Sequence, residues 1–225
     1  MARITATTLR LVWSTHQHDV QIAIAANIFV AAGVLLLFVI NLIFTQRIIR
    51  ATHPHIGWTK WSSLGLKLYV GTIIIMLIAL ITATVQSFYT LNPRTRRIDK
   101  EIQLVGSTYF AVAAFLPIPL LLTSMLLPKR TRVEKFGEGR FRTKIYTVLF
   151  TSVLLSFGAA FRAGVAYVPR PLAHPAWYHS KAVFYCINFL IEIIVVATFA
   201  IMRIDKRFHV PNGAKGPGDF TVKPK

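Results

Sequence analysis

The sequence predicts an all-α protein, a polytopic transmembrane helical bundle with five spans. Hydrophobic residues make up 54% of the 225-residue chain, and its mean hydropathy is +0.55, higher than soluble domains usually show. The apolar residues form five continuous runs of roughly 20 residues or more, the length that a helix needs to cross a hydrocarbon core about 30 Å thick. Continuous runs indicate helices rather than the alternating strands of a barrel. The runs are 21–43, 68–89, 104–127, 145–168 and 182–202.

The segments outside these runs are too short for a separate soluble domain, so we predict one transmembrane domain over residues 1–210. Before the first run, residues 1–14 are half apolar and carry two arginines, without a small-residue cleavage site. This favours an interfacial amphipathic segment over a signal peptide. After the last run, residues 211–225 are rich in Gly, Pro and Lys and are predicted to form a disordered cytoplasmic tail.

Polar residues and prolines add detail to the first three spans. Asn27 and Asn41 in span one are 14 residues apart, which places both on one helix face. We expect that face to point into the bundle, where amides bond across helices. Pro54 is expected to stop the first helix on the loop side. In span three, Pro117 and Pro119 remove two helix hydrogen bonds, which predicts a kink or a break.

Spans four and five each carry one charged residue, Arg162 and Glu192. At 1.5 Å per residue, Arg162 lies about 9 Å and Glu192 about 15 Å below the same membrane surface. The difference of about 6 Å is within reach of an extended arginine side chain. Charges inside a bilayer are costly and are usually paired, so we predict that these two side chains face each other in the interior.

The last span also predicts a polar face. Tyr185, Asn188 and Glu192 follow the spacing i, i+3, i+7, which places them on one side of an α-helix. We predict a substrate-binding site formed by these three residues and Arg162. In this hypothesis Glu192 binds a substrate or a proton, and Arg162 is its counter-ion or contacts an anion. The alternative is a structural ion pair that fixes the register of the two helices.

The charge distribution predicts the orientation. The chain carries 26 Lys and Arg and a formal net charge of +18. The loops 44–67 and 128–144 and the tail after residue 202 hold 17 of these residues. Residues 1–20 and the loops 90–103 and 169–181 hold 8, and Arg162 lies inside a span. This bias predicts an integral membrane protein, of the plasma membrane or an endomembrane, with a cytoplasmic C-terminus. The basic loops are then expected to contact membrane lipids with anionic head groups, and no motif for nucleic acid accompanies them.

Signals of catalysis are absent from the sequence. It contains no GxSxG elbow, no GxxxxGK phosphate loop and no HExxH motif, so we predict no enzyme, no cofactor and no catalytic residue. The single cysteine, Cys186, has no metal-ligand spacing. Four histidines on the predicted outer side are conceivable zinc ligands, but their spacing is weak evidence and we predict no metal site. These are His16, His18, His174 and His179.

Several blocks of the sequence are similar to a family of uncharacterised multispan membrane proteins of filamentous fungi. In the second half the blocks are FGEGRFRTK, GAAFRAG, PAWYHSKAVFY, NF-x2-E and MRIDKRFHVPNGAKGPGDF; in the first half, IAIAANIFVAAGVLLLFVINLIFTQRIIRATHPHIGW and VQSFYTLN…IDKEIQLVGSTYF. Members of that family look seven-spanning, with two helices before the first one here. The resemblance therefore implies that residues 1–14 correspond to the end of a second helix and that the chain is N-terminally shortened.

A looser resemblance covers spans four and five alone. An arginine near the end of one span, followed by an aromatic-rich start and a mid-helix acid in the next, is similar to the fungal RTA-like group, and the matching positions are Arg162, Tyr185 and Glu192. That group is associated with lipid translocation, which implies handling or transport of a lipid-like or amphipathic small molecule. The alternative is a seven-helix receptor-like sensor that couples to a cytoplasmic partner. The sequence leaves the oligomeric state open.

Overall fold

The computed structural model describes residues 2–15, 19–128, 133–168, 180–211, 213–214 and 216–220. Within these residues the chain forms helices and no strand, which confirms the all-α fold class. In chain order the helices are α1 (Ala2–Thr15), α2 (Val20–Thr52), α3 (Pro54–Gly57), α4 (Lys60–Tyr89), α5 (Pro93–Phe115), α6 (Pro117–Leu126), α7 (Phe141–Tyr167), α8 (Lys181–Tyr185), α9 (Ile191–Ile201) and α10 (Ile204–Arg207). A π-helical turn, Cys186–Leu190, joins α8 to α9.

Five helical segments in the described part of the chain are long and apolar enough to cross a membrane, one for each predicted span. They are α2, α4, the α5–α6 pair, α7 and the segment from Ala182 to the end of α9. Several are longer than their apolar runs. The 33 residues of α2 extend over about 50 Å, well beyond a core of about 30 Å. The extra turns continue until the residue before Pro54, where a proline disfavours helix.

Residues 93–103, which the sequence predicts as part of a loop, instead form the first turns of α5. Asn92 is the N-cap of this helix, and its Oδ1 accepts a hydrogen bond from the Arg94 backbone N–H at 3.0 Å. Pro93 occupies the first helical position, where its missing N–H costs nothing. A capping side chain followed by proline favours the start of a helix. This local signal explains why the polar residues that follow are helical and do not form a loop.

The break in the third span is confirmed. α5 ends at Phe115 and α6 begins at Pro117, with Leu116 between them. Because Leu116 keeps helical torsion angles, φ −52° and ψ −37°, the chain continues toward the same side of the bundle. The prolines remove backbone donors at this point without reversing the chain.

The amphipathic N-terminal segment is not an isolated interfacial helix. α1 packs antiparallel to the first half of α2, with Arg10 beside Asn27 and Ile4 beside the turns that follow Gly33. Ala6 is fully buried in this contact. The apolar side of α1 thus packs against α2, and Arg10 of α1 bonds to Asn27 of α2.

The core lies where α2, α5, α7 and α9 meet. Small residues such as Ala113 and Ala159 let the helices approach closely, as is typical of membrane bundles. Asn41 on α2 accepts a hydrogen bond from the Thr151 hydroxyl of α7 at 3.2 Å, and both residues are buried. Asn27 also bonds across helices, to Arg10 of α1, but it is exposed, so only Asn41 points into the bundle as predicted. By contrast, α4 is peripheral and exposes a row of isoleucines, Ile74, Ile75 and Ile78.

We call the end of the bundle that contains residues 44–67, 133–144 and 203–220 the basic end, and the end that contains residues 90–92 and 180–182 the opposite end. Aromatic rings close the basic end. Phe208 stacks on Phe44 with ring centroids 4.2 Å apart, and Phe136 lies 6.0 Å from Phe208. The Lys144 ammonium, only 1% exposed, donates a hydrogen bond to the Phe136 carbonyl.

The described part of the tail lies against the basic end, and the predicted disorder of residues 211–225 stays a prediction. Phe220 is 5% exposed, and its ring packs 5.1 Å from Trp58 and 5.4 Å from Phe136. The Gly218 backbone N–H donates a hydrogen bond to Oε1 of Glu134. Phe220 is the aromatic residue of a polar tail, and it is buried against the aromatic surface of the basic end. The composition of the tail does not predict this contact. Residues 221–225 lie outside the described residues.

Candidate functional site

The last span carries the centre of the candidate site, and its helix is not regular. At the π-helical turn, the Asn188 side-chain nitrogen donates a hydrogen bond to the Phe184 carbonyl at 2.9 Å. This amide therefore stabilises a wider turn, in which the backbone no longer follows the i→i+4 pattern. π-helical turns inside α-helices are frequent at functional sites. The turn places Asn188 and Glu192 in the interior, at 4% and 5% exposure.

Glu192 lies on the wall of an apolar groove of about 720 Å³ between α1, α2 and α9. From Phe189 to Ala200 the groove follows α9 for about 16 Å at the α-helical rise. Its volume is in the range of small-molecule sites. Apolar residues dominate the lining, among them Ile4 of α1, Leu36, Leu37 and Ile40 of α2, and Ile193 and Val196 of α9. Since Leu36, Ile193 and Val196 are exposed on the outside of the bundle, the groove is open to the side.

A smaller cavity of about 190 Å³ lies toward the opposite end, between α1, α2, α7 and the π-helical turn. We call it the polar cavity because four polar or charged residues line it, although apolar side chains provide most of its surface. Arg162 of α7 and Asn188 line it, together with two residues that the sequence did not predict as site residues, Arg10 and Asn27. Arg10 Nη2 donates a hydrogen bond to Asn27 Oδ1 at 3.0 Å, and its guanidinium lies 4.5 Å above the Phe184 ring. Apolar side chains of Val30, Phe161, Val165 and Phe184 complete the lining.

The polar cavity and the apolar groove follow one another along the same helices. On α1, Arg10 lines the cavity and Thr7, one turn away, lines the groove. On α2 the corresponding step is from Val30 to Gly33, and on the last span from Asn188 to Glu192. A head-and-tail arrangement results, with polar groups near the opposite end and apolar surface toward the middle of the bundle.

Three of the four predicted site residues are brought together. Arg162 and Asn188 share the polar cavity, and Glu192 lines the adjoining groove. Tyr185 is 46% exposed and lines neither; its ring packs 5.4 Å from that of Phe189. The spacing i, i+3, i+7 assumed a regular α-helix, and the π-helical turn between Tyr185 and Glu192 changes that register. A direct ion pair between Arg162 and Glu192 stays a prediction.

Arg10 is the site residue that sequence reasoning missed. The sequence places it in a short N-terminal segment, where an arginine reads as a topology signal rather than a ligand contact. Its partner Asn27 is 17 residues away and exposed, so no local pattern in the sequence relates the two. Buried Asp99 was missed too, because the first turns of α5 read as a loop.

The remaining polar clusters do not suggest catalysis. At the basic end, buried Thr52 and Ser124 bond to each other at 2.8 Å, and His53 Nδ1 lies 3.1 Å from the Thr52 hydroxyl. This cluster ties α2 to α6. Among the described residues no group of three His, Cys, Asp or Glu could hold a metal ion. The four histidines considered as zinc ligands, His16, His18, His174 and His179, lie outside the described residues.

The fold defines the class of the protein, a polytopic bundle of helices that are long and apolar enough to span a membrane. Within that class, residues 135–209 match the model of a family described as a protein of unknown function, DUF3112. The match covers a third of the chain, from the loop before α7 through α10, and includes all four predicted site residues. No curated protein and no solved structure matches the chain. The resemblances to a fungal seven-helix family and to the RTA-like group therefore stay sequence-based.

Proposed function

We propose that this protein binds a lipid-like or amphipathic small molecule and moves it across the membrane. The observation that carries the proposal is the polar cavity with Arg162 and Asn188, which lies about one helical turn from an apolar groove that contains Glu192. A polar head and an apolar tail would each meet a matching surface there. The lateral opening of the groove gives such a molecule a route from the bilayer into the site.

Glu192 is the residue on which movement depends in this proposal. A carboxylate at this depth is costly to keep, and intramembrane acids commonly mark substrate or proton pathways. Its position on the groove wall, 5% exposed, supports contact with a ligand. If Glu192 served only to fix the register of the helices, replacing it with Gln would leave transport unaffected as long as other contacts held the helices in place.

The orientation that we propose follows from charge. The basic end carries most of the Lys and Arg residues, which favours a cytoplasmic location for that end and for the C-terminus. The polar cavity would then lie in the outer half of the membrane. The basic loops would contact the anionic head groups of the inner leaflet.

Liposomes that contain the purified protein and a fluorescent lipid test this function. Wild type should move the lipid between leaflets faster than protein-free liposomes, and Glu192→Gln should lose that movement with unchanged abundance and thermal stability. Glu101→Gln is the matched control, because its carboxylate is 64% exposed on α5 and far from the groove. It should keep wild-type movement.

Two results would contradict the proposal in different ways. Equal movement in wild type and Glu192→Gln would remove Glu192 from the transport path. No movement above protein-free liposomes for any variant would contradict translocation itself.

A further inference from the structure

A second pocket, of about 190 Å³, lies at the basic end of the bundle, where the last span finishes. The end of α9, helix α10 and the loop before α7 form it. We call it the basic pocket, because its lining includes three basic residues and one acidic one, Arg203, Lys206, Arg207 and Glu138. Sites for whole small molecules measure about 300–1,000 Å³, so this pocket is large enough for part of a ligand only.

The basic pocket lies at the level where the bilayer core meets water. The last membrane-spanning segment ends at Ile201, and Arg203 follows two residues later. Ile201 also lines the pocket, and because it is 77% exposed it offers an apolar surface beside the basic residues. A ligand in the pocket would therefore meet acyl-chain surroundings on one side and positive charge on the other.

Arg203 has an unusual backbone conformation for an arginine, with φ 47° and ψ 59°. Its N–H donates a hydrogen bond to the Ala200 carbonyl at 3.0 Å, so the residue ends α9. Helices commonly end in this left-handed conformation, but glycine or asparagine usually occupies the position because a β-carbon makes it unfavourable. Strained residues of this kind are concentrated at ligand sites.

Arg207 is the fixed member of the group. Its Nε donates a hydrogen bond to the Met202 carbonyl at 2.6 Å, which satisfies an acceptor at the end of α9. A β-carbon on Gly139, which lines the pocket, would lie only 2.5 Å from Arg207 Nη1, so this nitrogen lies at the pocket wall. Within the described part of the chain, its Nη groups make no hydrogen bond, which leaves their N–H donors for a ligand.

The basic residues outnumber the acid in the pocket. Glu138 is exposed and forms no ion pair with any of the three, all of which the structure describes. Its backbone N–H instead bonds to the Lys206 carbonyl at 3.1 Å, which holds the loop against α10. Asp205 of α10 does not line the pocket. Lys144, buried at the same end, adds a further positive charge close enough to repel that of Arg207.

We propose that the basic pocket binds the head group of an anionic phospholipid, whose acyl chains lie along Ile201 on the outside of α9. The Nη groups of Arg207 donate to phosphate oxygens, a geometry that a guanidinium matches well. Arg203 and Lys206 are exposed and make no side-chain hydrogen bond or ion pair with described residues, so both are available to add charge. Binding here is separate from the apolar groove and does not depend on the proposed transport.

Native mass spectrometry of the purified full chain in detergent tests this site. It compares 1-palmitoyl-2-oleoyl-phosphatidylserine with the phosphatidylcholine that has the same acyl chains. We expect wild type to prefer phosphatidylserine by about tenfold or more. Arg203→Gln combined with Lys206→Gln should lower that affinity about tenfold and leave phosphatidylcholine unchanged. The matched control combines Lys60→Gln with Lys67→Gln, which removes two exposed charges of α4 at the same end but none from the pocket, and it should bind like wild type.

Equal affinity of wild type for the two lipids would overturn the proposal, and this comparison needs no variant. Equal losses in the two double variants would overturn it as well, since only the overall charge of the basic end would then matter. Lys206→Gln alone leaves the left-handed residue unchanged and should lower the affinity for phosphatidylserine about threefold, so unchanged affinity would contradict the site even if the double variant unfolds. Displacement of the lipid by inorganic phosphate at similar concentrations would show a site for free anions and not for a lipid.

Discussion

Gly137 lies at the basic end, at a position where the backbone of a neighbouring segment leaves no room for a side chain. Its φ is +56°, in the left-handed region, and a Cβ there would overlap the backbone carbonyl of Arg207. The adjacent Glu138 N–H donates a hydrogen bond to the Lys206 carbonyl at 3.1 Å. The loop before α7 and helix α10 therefore pack backbone against backbone, which only glycine permits.

Gly137→Ala should consequently destabilise the protein more than a positive φ alone explains. An L-residue in left-handed geometry costs about 1–2 kcal/mol, and the overlap with Arg207 adds an overpacking cost of about 1–3 kcal/mol. Gly213→Ala is the matched control, since its φ is +89° and no atom lies within 4 Å of its added Cβ. Thermal unfolding in detergent should show the larger decrease in Tm for Gly137→Ala. Equal decreases would contradict the close contact with Arg207.

Single residues also show which parts of the candidate site the sequence predicts. Arg162 and Glu192 are predicted because a charge inside an apolar run is conspicuous. Asn188 is predicted from its spacing to Glu192. Arg10 was missed because its partner, Asn27, is 17 residues away along the chain, and nothing local relates them. Tyr185 was included because the helix was assumed to be regular.

At the level of elements, the hydrogen bond from Thr151 to Asn41 is the clearest polar link between α2 and α7. Both residues are buried, so the bond forms away from water. Polar links of this kind in membrane proteins contribute about 0.6 kcal/mol on average and up to about 1.7 kcal/mol. It holds the two helices that line opposite sides of the polar cavity.

Thr151→Val keeps the shape of the side chain and removes the donor, so it should lower the free energy of unfolding by about 1 kcal/mol. The Thr151 hydroxyl also lies 3.0 Å from the Thr147 carbonyl of its own helix. Thr198→Val is therefore the control, because the Thr198 hydroxyl bonds to the Ile194 carbonyl of its own helix, and the difference between the two variants measures the bond to Asn41. Denaturant unfolding in mixed micelles measures both. In an Asn41→Ala background the effect of Thr151→Val should disappear. If the effect persists there, the stabilisation comes from packing and not from the bond.

The elements differ in how far the sequence predicts them. All five spans follow from length and hydropathy, and the break between α5 and α6 follows from Pro117, because both are local properties. The packing of α1 along α2 does not follow, since a 14-residue helix with two arginines is too short and too polar to give a span signal. The π-helical turn is equally hidden, because it depends on a side-chain bond to Phe184 that spacing does not encode.

For the whole molecule, the two ends of the bundle are unlike each other. The basic end is closed by the rings of Phe44, Phe136, Phe208 and Phe220, with the tail folded back over them. The polar cavity lies toward the opposite end, and the groove opens sideways from it. Among the described residues, aromatic rings thus close the basic end, and Arg10, Asn27 and Arg162 lie toward the opposite end.

Single cysteines can determine which end of the bundle faces the cytoplasm in sealed microsomes, whose outer surface is cytoplasmic. Cys186 is the only cysteine of the chain, so Cys186→Ala gives a background without thiols. In that background Glu138→Cys reports the basic end, and Leu91→Cys, at a position 87% exposed, reports the opposite end. The 17-to-8 distribution of Lys and Arg predicts that a membrane-impermeant maleimide labels Glu138→Cys in intact microsomes and Leu91→Cys only after detergent is added. The reverse pattern would place the polar cavity in the cytoplasmic half of the membrane, so that the ligand would be taken up from the inner leaflet.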